Sequence, residues 1–181
     1  MNRNRRSGSG ASRRKQQGMS LIEVLVAVLI MGIGLLGIAA MQAVALRNGQ
    51  SSLERTQAVI QSYAILDVIR ANRANALAGY YNTAGTDPQC TSAAAGSSET
   101  AGQTSARTDV NAWLESLKGS MVSAANAAAD TTTCGAVSCV ANTIDGATCT
   151  ITVQWDDSRG SGTVDGEEGS SERRVVTVAA I

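Results

Sequence analysis

From Val24 to Met41 the chain runs for 18 residues without a polar side chain (VLVAVLIMGIGLLGIAAM). At 1.5 Å per residue such a run makes a helix of roughly 27 Å, the threshold for crossing the hydrocarbon core of a bilayer. Beyond Gln42 the pattern turns amphipathic. Leu46, Leu53 and Ile60 recur every seven residues, and Val59, Tyr63, Leu66 and Ile69 or Arg70 fill the same broad stripe. Arg47, Gln50, Glu54, Gln57 and Gln61 fall on another face, as in a helix covered on one side only. Gly79 is the stop signal, with Asn82 and Gly85 after it. The pattern predicts one helix from about Ser20 to Ala78, roughly 90 Å long. Its first half is apolar all round and needs lipid or neighbouring helices.

The rest of the chain changes character. Tyr80–Ala106 is rich in Ser, Thr, Ala and Gly and reads as a long connecting loop. Thr108 or Asp109 can cap a second helix running to about Ala128. Val110, Trp113, Leu114, Leu117, Met121 and Ala125 form its apolar stripe, which reads as core-facing and leaves Trp113 no binding role. Three strand signals follow: Val137–Ile144, the clean alternation of Thr148–Trp155, and Arg173–Ile181. The last two are expected as antiparallel neighbours joined by the loop Asp156–Glu172. Helix, loop, helix, strands is the order of an α+β fold: a long N-terminal helix, then a small globular domain with one helix and a C-terminal antiparallel sheet. That domain is expected to cover the apolar stripe of the long helix.

Charge adds an orientation. The formal net charge is zero, yet the first 18 residues hold six bases (Arg3, Arg5, Arg6, Arg13, Arg14, Lys15) and no acid. Bases on that side of the apolar run keep the N-terminus in the cytoplasm and send the remainder across. Without residues 1–18 the chain is acidic, which argues against nucleic-acid binding. Glu23 sits at the mouth of the apolar run behind Leu21 and Ile22. A carboxylate there is costly and calls for a cationic partner.

Candidate chemistry is sparse. There is no His, so the commonest metal ligand and general base are missing. No nucleophile–base pair, phosphate-binding glycine loop or metal cluster is recognisable, and the chain reads as a non-enzyme without cofactor or small-molecule substrate. Cys90, Cys134, Cys139 and Cys149 lie downstream of the apolar run. Their spacing is poor for zinc, and an even count in a small exported domain suggests disulfides. Three pairings are open; Cys134 and Cys139 are close enough for a small loop. Asp156, Asp157 and Asp165 stand in a glycine-rich acidic loop, where calcium is the weaker reading and a solvated loop the stronger.

The segment Gly18-Met19-Ser20-Leu21-Ile22-Glu23-Val24-Leu25 resembles the prepilin cleavage motif of type IV pilins and type II secretion pseudopilins. The resemblance implies that a prepilin peptidase cuts after Gly18 and methylates the new N-terminus, Met19. It implies that the apolar helix becomes filament core, and that Glu23 serves assembly by pairing with the N-terminal amine of a neighbouring subunit. Met19 stands where Phe is usual. The mid-helix proline of many major pilins is absent, and Gly32, Gly34 and Gly37 can supply local weakness instead. GLLGIAAMQAVALRNGQSS, IRANRAN, the stretch after Tyr80-Tyr81 and Cys149–Trp155 are similar to the minor pilin group called the type IV pilus modification protein (PilV-type).

The expected organisation is therefore a cleaved leader (1–18), a membrane and filament-core half-helix (19–45), an amphipathic half-helix (46–78) and an exported domain (79–181). The expected partners are prepilin peptidase, other major and minor pilins and the inner membrane. The expected place is the inner membrane with the C-terminal domain in the periplasm, then the pilus. The expected role is a minor pilin supporting pilus assembly, twitching motility and adhesion. A secretion pseudopilin and a membrane-anchored binding protein are the alternatives. A plain signal-anchor, for which the motif would be an accidental match, competes less well, and so does a secretory signal peptide with Ala43-Val44-Ala45 as its A-x-A-like site, because the apolar region is longer than such a peptide's and has Glu23 at its mouth.

Overall fold

A computed structural model describes residues 18–83, 87–122, 126–142, 146–158, 163–164, 167–168 and 170–181. The apolar run and the residues after it form helix α1 (Leu21–Ala71). It passes unbroken through Gly32, Gly34 and Gly37, around which there is open space. A short helix α2 (Arg73–Leu77) follows, separated from α1 by Asn72. The expected single helix to Ala78 is thus divided, because Asn72 leaves the helical region at φ −118° and ψ 46°. Gly79 ends α2 as expected, with φ +75°. Tyr80 N–H reaches Asn75 O (3.0 Å) and Gly79 N–H reaches Ala76 O (3.0 Å), a Schellman ending that favours glycine at this position.

Helix α3 (Ala101–Met121) begins earlier than its stripe suggested. Thr108 and Asp109 are interior, and the cap is Thr100. Its hydroxyl accepts from Gln103 N–H (3.3 Å), while Gln103 Oε1 accepts from Thr100 N–H (2.8 Å). This capping box satisfies two backbone donors that a helix start leaves open, and it shortens the expected loop. Ala106, Val110, Trp113, Leu114 and Leu117 are the buried face. Met121 packs against the core, and Ala125 lies outside the described residues. A 3-10 turn (Ala127–Ala129) leads to the sheet.

The sheet order is β1 (Cys134–Asn142), β2 (Gly146–Trp155), β5 (Arg173–Ala180), all antiparallel. The expected strands are present, β1 starting three residues early, and Ile144 lies outside the described residues. β2 and β5 are the expected neighbours, and the loop between them carries a small ladder of β3 (Thr163–Val164) on β4 (Glu167–Glu168).

The chain divides into two compact units, residues 1–42 and 43–181. In the first, the apolar side chains of α1 are exposed throughout, from Leu21 at 77% to Met41 at 76%. The second holds the core. Ala58, Ile65, Leu66 and Ile69 of α1 and the buried face of α3 meet Val137, Cys139, Cys149, Ile151, Val153 and Trp155 of the sheet. Of the expected stripe the domain covers Leu66 and Ile69 but not the heptad residues Leu46, Leu53 and Ile60, which are 75%, 65% and 52% exposed. Covering starts at Ala58 and uses small residues, Ala58 and Ser62, where Trp113 Nε1 donates to Gln61 O (2.9 Å). Buried Ser62 satisfies its own hydroxyl on Ala58 O (2.8 Å), so its burial leaves no orphaned donor. On β1, a methyl group at Gly135 would stand 2.4 Å from Trp113 Cη2, so glycine is what lets α3 seat its indole on the sheet.

All four cysteines are joined. Cys90 pairs with Cys134, and Cys139 with Cys149. The small Cys134–Cys139 loop is not formed. Adjacent strand positions point to opposite faces, and five residues along β1 put these two sulfurs on different sides of the sheet. Cys139 instead stands directly opposite Cys149 in the ladder, Cα to Cα 4.0 Å.

Candidate functional site

The segment ahead of α1 is simple in geometry. Gly18 and Met19 precede the helix in irregular backbone and are exposed, Met19 to 72%. The linkage between them is therefore free of the helical hydrogen-bond ladder. Ser20 opens α1: its carbonyl accepts from Glu23 N–H (3.0 Å) and Val24 N–H (3.3 Å). Glu23 thus lies in the first helical turn, where the helix dipole favours negative charge. Its neighbours Leu21, Ile22, Val24 and Leu25 are exposed, and its carboxylate makes no hydrogen bond or ion pair among the described residues. Helix α1 is long and apolar enough to cross a membrane, with none of its apolar window buried. The arrangement is one accessible peptide linkage, then a lone carboxylate, then an apolar surface with no protein cover.

The acidic loop does not gather a site. Asp157 is 3% exposed and is held by Arg173 Nε at 2.5 Å and by the Ser51 hydroxyl at 2.8 Å. Its N–H reaches Ser170 O (3.0 Å), so it closes the base of the loop. An arginine takes the charge that a calcium ion would need. Asp156 accepts from Ser158 N–H (2.8 Å). Asp165 lies outside the described residues. Asp156 does line a polar recess of about 280 Å³ with Glu54 and Asp130. Asp130 there is occupied by Thr132 and Thr133; burial raises its carboxyl, but the hydrogen bonds from Thr133 and Thr132 outweigh it and hold it below the usual range. Among the described residues no three acids or cysteines come together to hold a metal.

Sequence reasoning missed three polar arrangements. Ser51, Asp157 and Arg173 form one. Tyr81 is another: buried, its hydroxyl donates to Asp109 (2.5 Å) and accepts from Asn72 (3.0 Å). The third is Asn82, whose side-chain oxygen accepts from Cys139 N–H (2.6 Å) while its Nδ2 donates to Cys139 O (3.2 Å). Their hydrogen-bonded pairs are 9 to 106 residues apart, so no local pattern marks them. The capping box Thr100–Gln103 did carry a local signal, the T-x-x-Q spacing ahead of the α3 stripe.

Residues 13–39 match the family model described as the prokaryotic N-terminal methylation motif, the type IV pilin signature. The match covers the stretch that holds Gly18, Met19 and Glu23. No curated protein and no solved structure matches the chain. The motif supports a type IV pilin-like or pseudopilin protein, a structural subunit anchored by its apolar helix.

Proposed function

We propose, from the premise that this chain carries the type IV pilin signature, that it is a minor pilin subunit of a type IV pilus. In this reading residues 1–18 are a leader removed after Gly18, and Met19 becomes the methylated N-terminus. The observation that carries the reading is the lone Glu23 carboxylate in the first turn of an apolar, uncovered helix, five residues beyond an accessible glycine. Cleavage creates an amine near that carboxylate's depth. In an apolar, weakly screening setting, a carboxylate of one subunit and an amine of the next attract strongly. Each charge would otherwise stand unpaired in hydrocarbon. The pair therefore sets the axial position of the incoming subunit, and the apolar helix surface exchanges lipid for neighbouring helices.

The subunit works by assembly, with prepilin peptidase and other pilins as partners, and has no catalytic role. It starts in the inner membrane with residues 79–181 in the periplasm, where two disulfides form readily, and passes to the pilus. There it supports assembly, twitching motility and adhesion. The stretches similar to the type IV pilus modification protein group support the pilus over other filaments. Gly18-Met19 followed by Glu23-Val24-Leu25-Val26 favours a second reading, a type II secretion pseudopilin. Recovery from sheared surface pili separates the two.

The test is the intact mass and N-terminal sequence of the protein expressed with and without a prepilin peptidase. A chain beginning at methylated Met19, only when the peptidase is present, is the expected result. An uncut chain, or one beginning at Leu46, overturns the reading and leaves an anchored or secreted binding domain.

A further inference from the structure

The two edges of the three-stranded sheet are treated differently. On β1 the outward backbone groups belong to Gly135, Val137, Cys139 and Ala141, and the first three of these four positions are engaged. Gln89 exchanges both backbone bonds with Gly135 (2.8 and 2.9 Å). Thr83 N–H donates to Val137 O (2.9 Å) and its hydroxyl accepts from Val137 N–H (3.2 Å). Asn82 engages both groups of Cys139 through its side-chain amide. The chain thus covers this edge from Gly135 to Cys139 with Asn82, Thr83 and Gln89.

Among the described residues the β5 edge has no such cover. Ile181 exchanges both backbone bonds with Ala147 (2.9 and 3.3 Å), so the odd-numbered residues of β5 face β2. Antiparallel alternation turns the N–H and C=O groups of Arg174, Val176, Val178 and Ala180 outward. Among the described residues no backbone group pairs with them. Val176 and Val178 are 58% and 62% exposed. Natural edges are blunted by lysine, proline, bulges or a covering loop. Of the outward residues only Arg174, at the start of the strand, is charged; residues 175–181 (VVTVAAI) hold no charged side chain and no proline, and the register with β2 runs without a bulge from Arg173 to Ala180.

We infer that the open β5 edge is the docking site for β5 of a second copy of this chain, paired antiparallel about Thr177. The sequence selects this occupant. With Thr177 opposite its own copy, Val176 faces Val178 and Arg174 faces Ala180, each twice by symmetry. All four outward-facing residues find a partner, two hydrogen bonds to each pair. No arginine stands opposite an arginine, and exposed valine meets exposed valine on one face, a favourable cross-strand pair. Moving the symmetry centre to Val176 sets Ala180 opposite Glu172, outside β5. The contact is isologous and closed, joins two three-stranded sheets into one, and does not depend on the filament reading.

The experiment uses the full chain in detergent micelles, with protein mass measured by light scattering corrected for detergent. Val178→Pro removes an outward N–H together with the Val178 side chain, a substitution an edge strand tolerates. Val176→Lys keeps every backbone donor but places a charge against the partner's Val178. The native chain is expected as a dimer, and both variants are expected to weaken it at least about tenfold in Kd, a factor worth ~1.4 kcal/mol. Disulfide content and circular dichroism should stay native, and the amides of Val176 and Val178 should exchange slowly only in the native dimer. A monomeric native chain, or a dimer that survives Val176→Lys with those amides unprotected, overturns the inference. The first result would leave the edge to a strand of another protein, and the second would assign self-association to the apolar helix.

Discussion

Tyr81 carries its hydroxyl into the core between two polar partners. Burial first, and then the hydrogen bond to Asp109, push its pKa up to about 12 from an ordinary 10.0. The folded chain therefore holds this proton more tightly than the unfolded chain does. Stability from the site is complete below pH 10 and is lost as pH rises from there through about 12. Tyr81→Phe should remove that part of the alkaline loss, so urea midpoints measured from pH 9 to pH 11.5 should fall less steeply than in the native chain. An identical slope would mean that other groups govern alkaline unfolding. Nothing near Tyr81 in the sequence announces this, because Asp109 is 28 residues away and reads as a helix cap. Glu23 is the opposite case. Its oddity is entirely local, one acid at the mouth of an 18-residue apolar run, and so it was legible at once.

Elements were legible where the signal was periodic and dense. β2 alternates over its whole length and was found to within two residues. The stripe on α1 held at Leu66 and Ile69 and misled upstream, where packing favoured small side chains at Ala58 and Ser62 over the regularly spaced Leu46, Leu53 and Ile60, because periodicity weighs size rather than fit. The disulfides tie elements together on different scales: Cys90–Cys134 spans 44 residues and Cys139–Cys149 spans 10. On the chain-entropy estimate they restrict the unfolded chain by about 4 and about 3 kcal/mol respectively. Replacing Cys90 and Cys134 by serine should therefore lower the denaturation midpoint more than replacing Cys139 and Cys149, as followed by urea titration of the two double variants. The reverse order would mean that the buried sulfurs of Cys139 and Cys149 contribute more through packing than through chain restriction. The pairing itself was unreadable, since it depends on β1–β2 register and on where the loop before Cys90 lands.

For the whole molecule, the decisive variant is Glu23→Leu. Its expected outcome is normal membrane insertion and processing with loss of the subunit from filaments, followed by fractionation and by immunodetection in sheared pili. Undiminished incorporation would favour a membrane-anchored protein that needs no assembly contact. The N-terminal part was readable because an apolar run and the methylation motif both lie in contiguous residues. The globular part lies outside the matched residues 13–39, and its class was legible only as an order of helix and strands. One feature of that part also has a history in time. The segment sealing β1 is pinned beside the Gln89–Gly135 bridge by Cys90–Cys134, a covalent link that exists only after oxidation. In a reducing compartment the same chain would hold this seal by hydrogen bonds alone, with a second sheet edge ready to open. Oxidation is then the step that makes the subunit one-sided. A cell that delays it should find immature subunits sticking to one another through the wrong strand.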